Sequence, residues 1–352
     1  MKLKHAVFIG LLLAPLPAIA KCSIGDVPSD GVTGFQEAVI SVSDLKAATA
    51  TWHEVGDFDV VCEGQAGPAM AQFWGLPPNT KIDQVVLKKK VANRGLVRLV
   101  KFNGIAQEQI RSSAQSWDTG GIFDLYMYVD DVRAIFPQLR ARGWQSYNDP
   151  VTYTLGPFTV TEVLMRGPDG EVLCLMQRDA PPYNKAQFGL VPGAGKGFGW
   201  PFNSALISSE FAPGEKFFAE ILGWTSHLSG DSKSAPPGDT PMGLPKNLAQ
   251  TTARKFAAYA PHPTDRNGSI QIYVNEGLDG RDLSTRAHAP NLGILTLRVP
   301  VPDLDVFEKN IRAKGGGVAT PRQSLELEPY GKVEMLSLKA PNGALIEFFA
   351  QK

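Results

Sequence analysis

The sequence predicts an α+β protein made of four similar units, each a strand, a helix and several further strands, and two observations predict it. The first is an internal repeat. Gly-Ile-Phe-Asp-Leu-Tyr-Met-Tyr-Val-Asp-Asp at 121–131 returns as Gly-Ile-Leu-Thr-Leu-Arg-Val-Pro-Val-Pro-Asp at 293–303. Gly167-Pro168-Asp169-Gly170 ahead of 171–177 returns as Ala340-Pro341-Asn342-Gly343 ahead of 344–350, so the copies are offset by 172–173 residues. The second observation is that each copy divides again, because a strand ending in a helix-capping acid opens residues 35–44 and 203–210 as well.

Taken in order, residues 1–20 read as a secretory leader. Lys2, Lys4 and His5 precede an apolar run at 6–16, and Ala18-Ile19-Ala20 offers a small-x-small cleavage site. Lys21 stands where a lipoprotein signal needs a small residue before Cys22, so a soluble exported protein, periplasmic or secreted, is expected. In an oxidising compartment Cys22 could pair with Cys62. Residues 35–44 form a strand whose Asp44 caps a helix running to about Val55. Residues 121–131 and 293–303 alternate as strands do, and their closing aspartates open helices at 132–142 and 304–314. Both helices stop at glycine, Gly143 and Gly315. The two Pro-Asx-Gly turns lead into closing strands. A stretch rich in Gly and Pro, 181–200, reads as a linker between a first domain at 30–180 and a second at 201–352.

Composition narrows the function. Thirty-five basic side chains balance thirty-five acidic ones, which argues against nucleic acid as a partner. Beyond the leader no stretch reaches about 18 apolar residues, so no membrane span is expected. Three cysteines are too few for a disulfide scaffold.

A strand ending Val-x-Asp, a helix stopping at glycine and a sheet closing on a Pro-x-Gly turn resemble the vicinal oxygen chelate superfamily of glyoxalase, bleomycin-resistance and extradiol dioxygenase proteins. The resemblance covers nearly the whole chain after the leader. It implies four βαβββ modules forming two tandem domains with curved mixed sheets, each pair of modules enclosing a cleft. In metal-using relatives one ligand lies seven residues before the capping acid of a module's first strand, and another lies in its last strand. Those positions fall here on Glu37, Asp124, Asn203 and Thr296, and on Arg98, Cys174, Gln271 and Glu347. None is histidine.

On this reading an N-terminal cleft gathers Glu37, Arg98, Asp124 and Cys174, with Ser41 beside Glu37 and Tyr126 and Tyr128 beside Asp124. A guanidinium among carboxylates opposes a cation, so no metal or other cofactor is expected. Arg98, with Ser41 and Cys174, would bind a small-molecule oxyanion. Glu37 or Asp124 would act as general base, and Tyr126 or Tyr128 as acid. The expected activity is that of a lyase, isomerase or ring-modifying enzyme on a carbonyl or phenolic compound. Three alternatives stand beside it: a buried Glu37–Arg98–Asp124 ion network in a vestigial site, a sequestering protein of bleomycin-resistance type, and a dioxygenase or glyoxalase holding a divalent ion on Glu37, Asp124 and Cys174. A C-terminal cleft of Asn203, Gln271, Thr296, Arg298 and Glu347 is polar but mostly neutral, suited to binding or to shaping the fold.

The remaining features read blandly. His227 and His288 fall in polar loops, His53 near a helix C-terminus and His262 in a turn. Residues 193–197 superficially resemble a phosphate loop but lack the Ser or Thr after Lys196. Lys88–Lys90 reads as a solvated edge, and Phe198, Trp200 and Phe202 as an aromatic rim or an interdomain packing surface.

Overall fold

The computed structural model describes residues 22, 33–90, 92, 94–155, 157–190, 197–232 and 241–352. The expected leader and most of the 193–197 loop lie outside the described residues. The four modules appear in order. The first holds β1 (Glu37–Ser41), α1 (Leu45–Glu54), β2 (Asp59–Gln65), α2 (Pro68–Phe73), β3 (Ile82–Lys88) and β4 (Leu96–Phe102). The second holds β5 (Asp124–Tyr128), α3 (Val132–Arg140), β6 (Val151–Leu155), β7 (Phe158–Arg166) and β8 (Val172–Ala180). In the third, β9 (Asn203–Ile207) leads to α4 (Ala212–Glu215), which continues as a π-helical turn over Lys216–Ile221. β10 (Thr225–Ser232), α5 (Lys246–Ala249), β11 (Arg254–Ala260) and β12 (Ser269–Asn275) complete it. The fourth holds β13 (Gly293–Pro300), α6 (Leu304–Ala313), β14 (Val318–Glu326), β15 (Lys332–Lys339) and β16 (Leu345–Gln351).

Local chemistry accounts for the helix boundaries. The carboxylates of Asp44, Asp131 and Asp303 accept from backbone amides of the first turns of α1, α3 and α6, satisfying donors that a helix start leaves unpaired. Gly143 and Gly315 end α3 and α6 with φ of 85° and 80°, a left-handed conformation that costs glycine least.

The pairing of modules departs from expectation. One eight-stranded sheet runs β14-β15-β16-β13-β1-β4-β3-β2, and the other runs β10-β11-β12-β9-β5-β8-β7-β6. Antiparallel contact between β1 and β13 thus joins the first module to the fourth, and contact between β5 and β9 joins the second to the third. A cleft made within residues 30–180 alone is therefore corrected. The repeat shows which strands are equivalent, but equivalent edges can pair within one copy or between copies, and sequence period does not choose.

One large core unites the sheets, drawing Trp52 and Val97, Leu125 and Val163, Phe218, and Leu297 and Phe348 from the four modules in turn. Phe198, in the predicted linker, bridges to Val129 and packs edge-on to Trp52 with ring centroids 5.9 Å apart. Cys22 and Cys62 form a disulfide, their Cα atoms 5.4 Å apart. Lys89 corrects the solvated-edge reading: it is 3% exposed, and its Nζ donates to the carbonyls of Gly56 and Asp57. Among the described residues no helix is long and apolar enough to cross a membrane.

Candidate functional site

Strand alternation and the two sheet orders place two sets of side chains on two inner faces. Around β1 and β13 stand Glu37, Arg98, Arg298 and Glu347. Around β5 and β9 stand Tyr126, Cys174, Asn203 and Gln271. Register supports both groupings, since Glu37 pairs with Arg298 and Tyr126 with Asn203.

The first set is a closed ion network. Arg98 donates from Nε and Nη2 to both oxygens of Glu37 (2.7 and 2.9 Å). Arg298 donates from Nη1 to Glu37 Oε1 (2.6 Å) and from Nε to Glu347 Oε2 (2.7 Å). Tyr330 Oη donates to Glu37 Oε2 (3.1 Å), and Trp74 Nε1 to Glu347 Oε1 (2.7 Å). Arg98 also donates to Gln84 Oε1 and to the Glu328 carbonyl. Two carboxylates thus face two guanidiniums, and all four side chains are buried. Burial works to raise the Glu37 pKa, but Arg98 and Arg298 outweigh it and hold the carboxyl below its ordinary value. Burial works to weaken the Arg298 proton, but the Glu347 and Glu37 carboxylates outweigh it, so that proton is bound more tightly than usual.

The second set opens onto a cavity of about 330 Å³ lined mainly by aromatic and apolar side chains. Tyr128 stacks on Phe202, centroids 4.4 Å apart, and Phe256 stacks on Tyr273 at 5.9 Å. Glu162 lines the same cavity. Its Oε2 accepts from Tyr153 Oη (2.7 Å) and its Oε1 from the Met242 amide (2.9 Å). Burial pushes its carboxyl above the ordinary range. Tyr153, the Met242 amide, the Cys174 thiol and Arg254 act against that rise without cancelling it. Arg178, Arg254 and Arg266 supply the positive charge of the lining, and burial followed by the Arg266 charge keeps the pKa of the neighbouring His227 low, so that its imidazole stays neutral.

The residues predicted as one N-terminal site are therefore split. Glu37 and Arg98 belong to the ion network, and Asp124, Tyr126, Tyr128 and Cys174 belong to the other sheet. Asp124 does not line the cavity. Its Oδ1 accepts the Ala205 amide (3.0 Å), and burial drives its carboxyl well above the carboxylate range. Tyr126 and Tyr128 do line it, Tyr126 donating to Met242 Sδ (2.7 Å). Cys174 is buried beneath, its thiol pushed up first by burial and then by Glu162. Ser41 bonds the Pro290 carbonyl rather than Glu37.

The predicted second cleft divides as well. Asn203 and Gln271 line the cavity, Arg298 and Glu347 stand in the ion network, and Thr296 touches neither, its hydroxyl 3.4 Å from the Leu297 carbonyl. His227 lies on β10 and faces the cavity, correcting its reading as a loop residue. Sequence reasoning missed Glu162, Tyr153 and Arg254. The signal for Glu162 was present: in Val160-Thr161-Glu162-Val163-Leu164 an acid falls on the same face as Val160 and Leu164.

The chain has the vicinal oxygen chelate fold, as the module architecture and these comparisons agree. Glyoxalase I from Zea mays superposes with a TM-score of 0.57 at 14% identity, over 90% of this chain and 92% of that one. A point variant of the same enzyme gives 0.58 at 15% identity over the same shares. A putative dioxygenase from Bacillus subtilis gives 0.54 at 14% identity, covering 92% of this chain and 86% of that one. No protein-family model matches the chain, and no curated protein matches its sequence.

These neighbours overturn the expectation of a protein without a cofactor, because glyoxalase I is metal-dependent. The donors at the corresponding strand positions of this chain do not fit a divalent ion. In one cleft both carboxylates are held by guanidiniums. In the other, two amides, a phenol and a thiol with a raised pKa replace the imidazole and carboxylate ligands such ions favour. Among the described residues no three His, Cys, Asp or Glu side chains converge.

Proposed function

We propose that this chain is an exported small-molecule enzyme that moves a proton on a carbonyl or phenolic compound held between its second and third modules, the chemistry of an isomerase or lyase. The observation that carries the reading is Glu162: a buried carboxyl with a raised pKa in the wall of an otherwise aromatic cavity. Tyr153 and the Met242 amide each donate to one of its oxygens, which holds the carboxyl in place at the cavity wall. Glu162 takes the substrate proton, Tyr153 orients the carboxyl, and Arg254 holds the oxygen on which charge develops. The stacked rings of Tyr128 and Phe202 exclude water and set the plane of the substrate. The Cys22–Cys62 disulfide supports an oxidising compartment, in keeping with the leader at 1–20.

The test is turnover of a panel of aldehydes, ketones and phenols by the wild-type protein and by Glu162→Gln. Loss of about 100-fold or more in kcat, with ligand binding retained, is expected for a general base. Because the base must be ionised, activity should fall as pH drops through the raised Glu162 pKa, on the high side of an ordinary glutamate. A ligand recovered unchanged at stoichiometric protein would mark a sequestering protein and overturn the reading.

A further inference from the structure

The cavity's charge is lopsided. Three guanidiniums, Arg178, Arg254 and Arg266, line it against a single carboxyl, Glu162. That carboxyl sits beside Arg254, which leaves Arg178 and Arg266 facing no acid within the lining. Arg178 reaches the ring pair through Tyr128, and the backbone beyond Arg266 is tied to Phe202. Arg178 hydrogen-bonds Tyr128, and the Gly268 and Ser269 amides donate to the Phe202 carbonyl (2.8 and 3.2 Å), which brings the segment carrying Arg266 alongside the stack.

The spacing is informative. Glu162 pairs with Met176 on β8, and Arg178 stands two residues further along that strand, about 7 Å at ordinary strand rise. That distance separates the backbone positions from which the Glu162 carboxyl and the Arg178 guanidinium both reach the cavity lining. A volume of about 330 Å³ admits one small ring-bearing molecule and little more.

We propose that the occupant is an aromatic carboxylate, its ring against Tyr128 and Phe202 and its carboxylate on Arg178 and Arg266, with the reacting end toward Glu162. A neutral aromatic would leave the cavity's surplus of guanidiniums unused, and a small inorganic anion would leave the aromatic wall uncovered. The proposal rests on the functional reading of this cavity given above and narrows its substrate.

Calorimetric titration of the full chain with 2-naphthoate, 2-naphthamide and inorganic phosphate tests it. Naphthoate should bind at least about tenfold more tightly than the amide, close to 1.4 kcal/mol, and phosphate more weakly than either. Arg266→Gln and Arg178→Gln should each weaken naphthoate about tenfold and leave the amide unchanged. Arg266 is exposed, so its variant should fold. Equal binding of acid and amide, tighter binding of phosphate, or no binding of naphthoate would each overturn the proposal, as would unchanged binding in both arginine variants. Glu162→Gln should keep naphthoate affinity. If that variant also keeps full turnover, the base assignment fails while the substrate class stands.

Discussion

Replacing Glu37 by glutamine removes one charge from a buried set of four. In the native protein Glu37 accepts two hydrogen bonds from Arg98, one from Arg298 and one from Tyr330. The glutamine leaves two guanidiniums sharing one carboxylate, Glu347, and offers an amide NH₂ where a donor already points. Breaking a buried ion pair from one side typically costs about 3–5 kcal/mol, because the remaining charge stays desolvated and unpaired. Against the roughly 5–15 kcal/mol of an ordinary domain, that loss should move the unfolding midpoint strongly. The assay is urea unfolding followed by fluorescence, with ligand affinity of the second-to-third-module cavity measured on the folded variant. Affinity should be unchanged, because the network belongs to the other sheet. A double variant, Glu37→Gln with Arg98→Met, restores neutrality and should recover much of the loss. The sign with pH follows from the lowered Glu37 pKa: its contribution is present above the ordinary value of 4.5 and fades as pH falls through the folded value. A Glu37→Gln protein within about 1 kcal/mol of wild type, or one that is stable but inactive, would refute this assignment of the network to stability.

Two further outcomes follow from buried groups and from the crosslink. Glu171 is pushed up to about 8, first by burial and then by Asp169. The folded chain therefore holds a proton that the unfolded chain releases near 4.5, and stability falls as pH rises from there to 8, by at most about 5 kcal/mol. In Glu171→Gln that stretch of pH dependence should flatten in a thermal-unfolding series, and an unaltered slope would exclude Glu171 as its source. Reduction of the Cys22–Cys62 bond opens a loop of 40 residues, worth about 4 kcal/mol in chain entropy. A Cys62→Ser variant should unfold earlier by a comparable amount, and an unchanged midpoint would mean that the bond constrains little.

Much of the fold can be read along the chain, because the interactions that carry it are local. Asp44, Asp131 and Asp303 cap helices from three residues away, Gly143 and Gly315 stop them, and the repeat at 172–173 residues marks equivalent units. The inward direction of Arg98, Tyr126, Asn203, Gln271 and Glu347 follows from strand alternation in the same way. Which of these residues share a cleft does not. Glu37 meets Arg298 across 261 positions and Asp124 meets Ala205 across 81, since the edges of β1 and β5 pair with β13 and β9 rather than with each other. Edge pairing depends on the shape and burial of whole sheets, summed over many weak contacts, and no spacing in the sequence records it. The same holds for Glu162: its strand displays an acid on an apolar face, but only the fold buries that acid beside Tyr153, Cys174 and Arg254, and the burial raises its pKa. The sequence by itself determined the modules and the side chains they turn inward; the tertiary structure alone decided that two carboxylates would be neutralised by arginines and that a third would face a cavity.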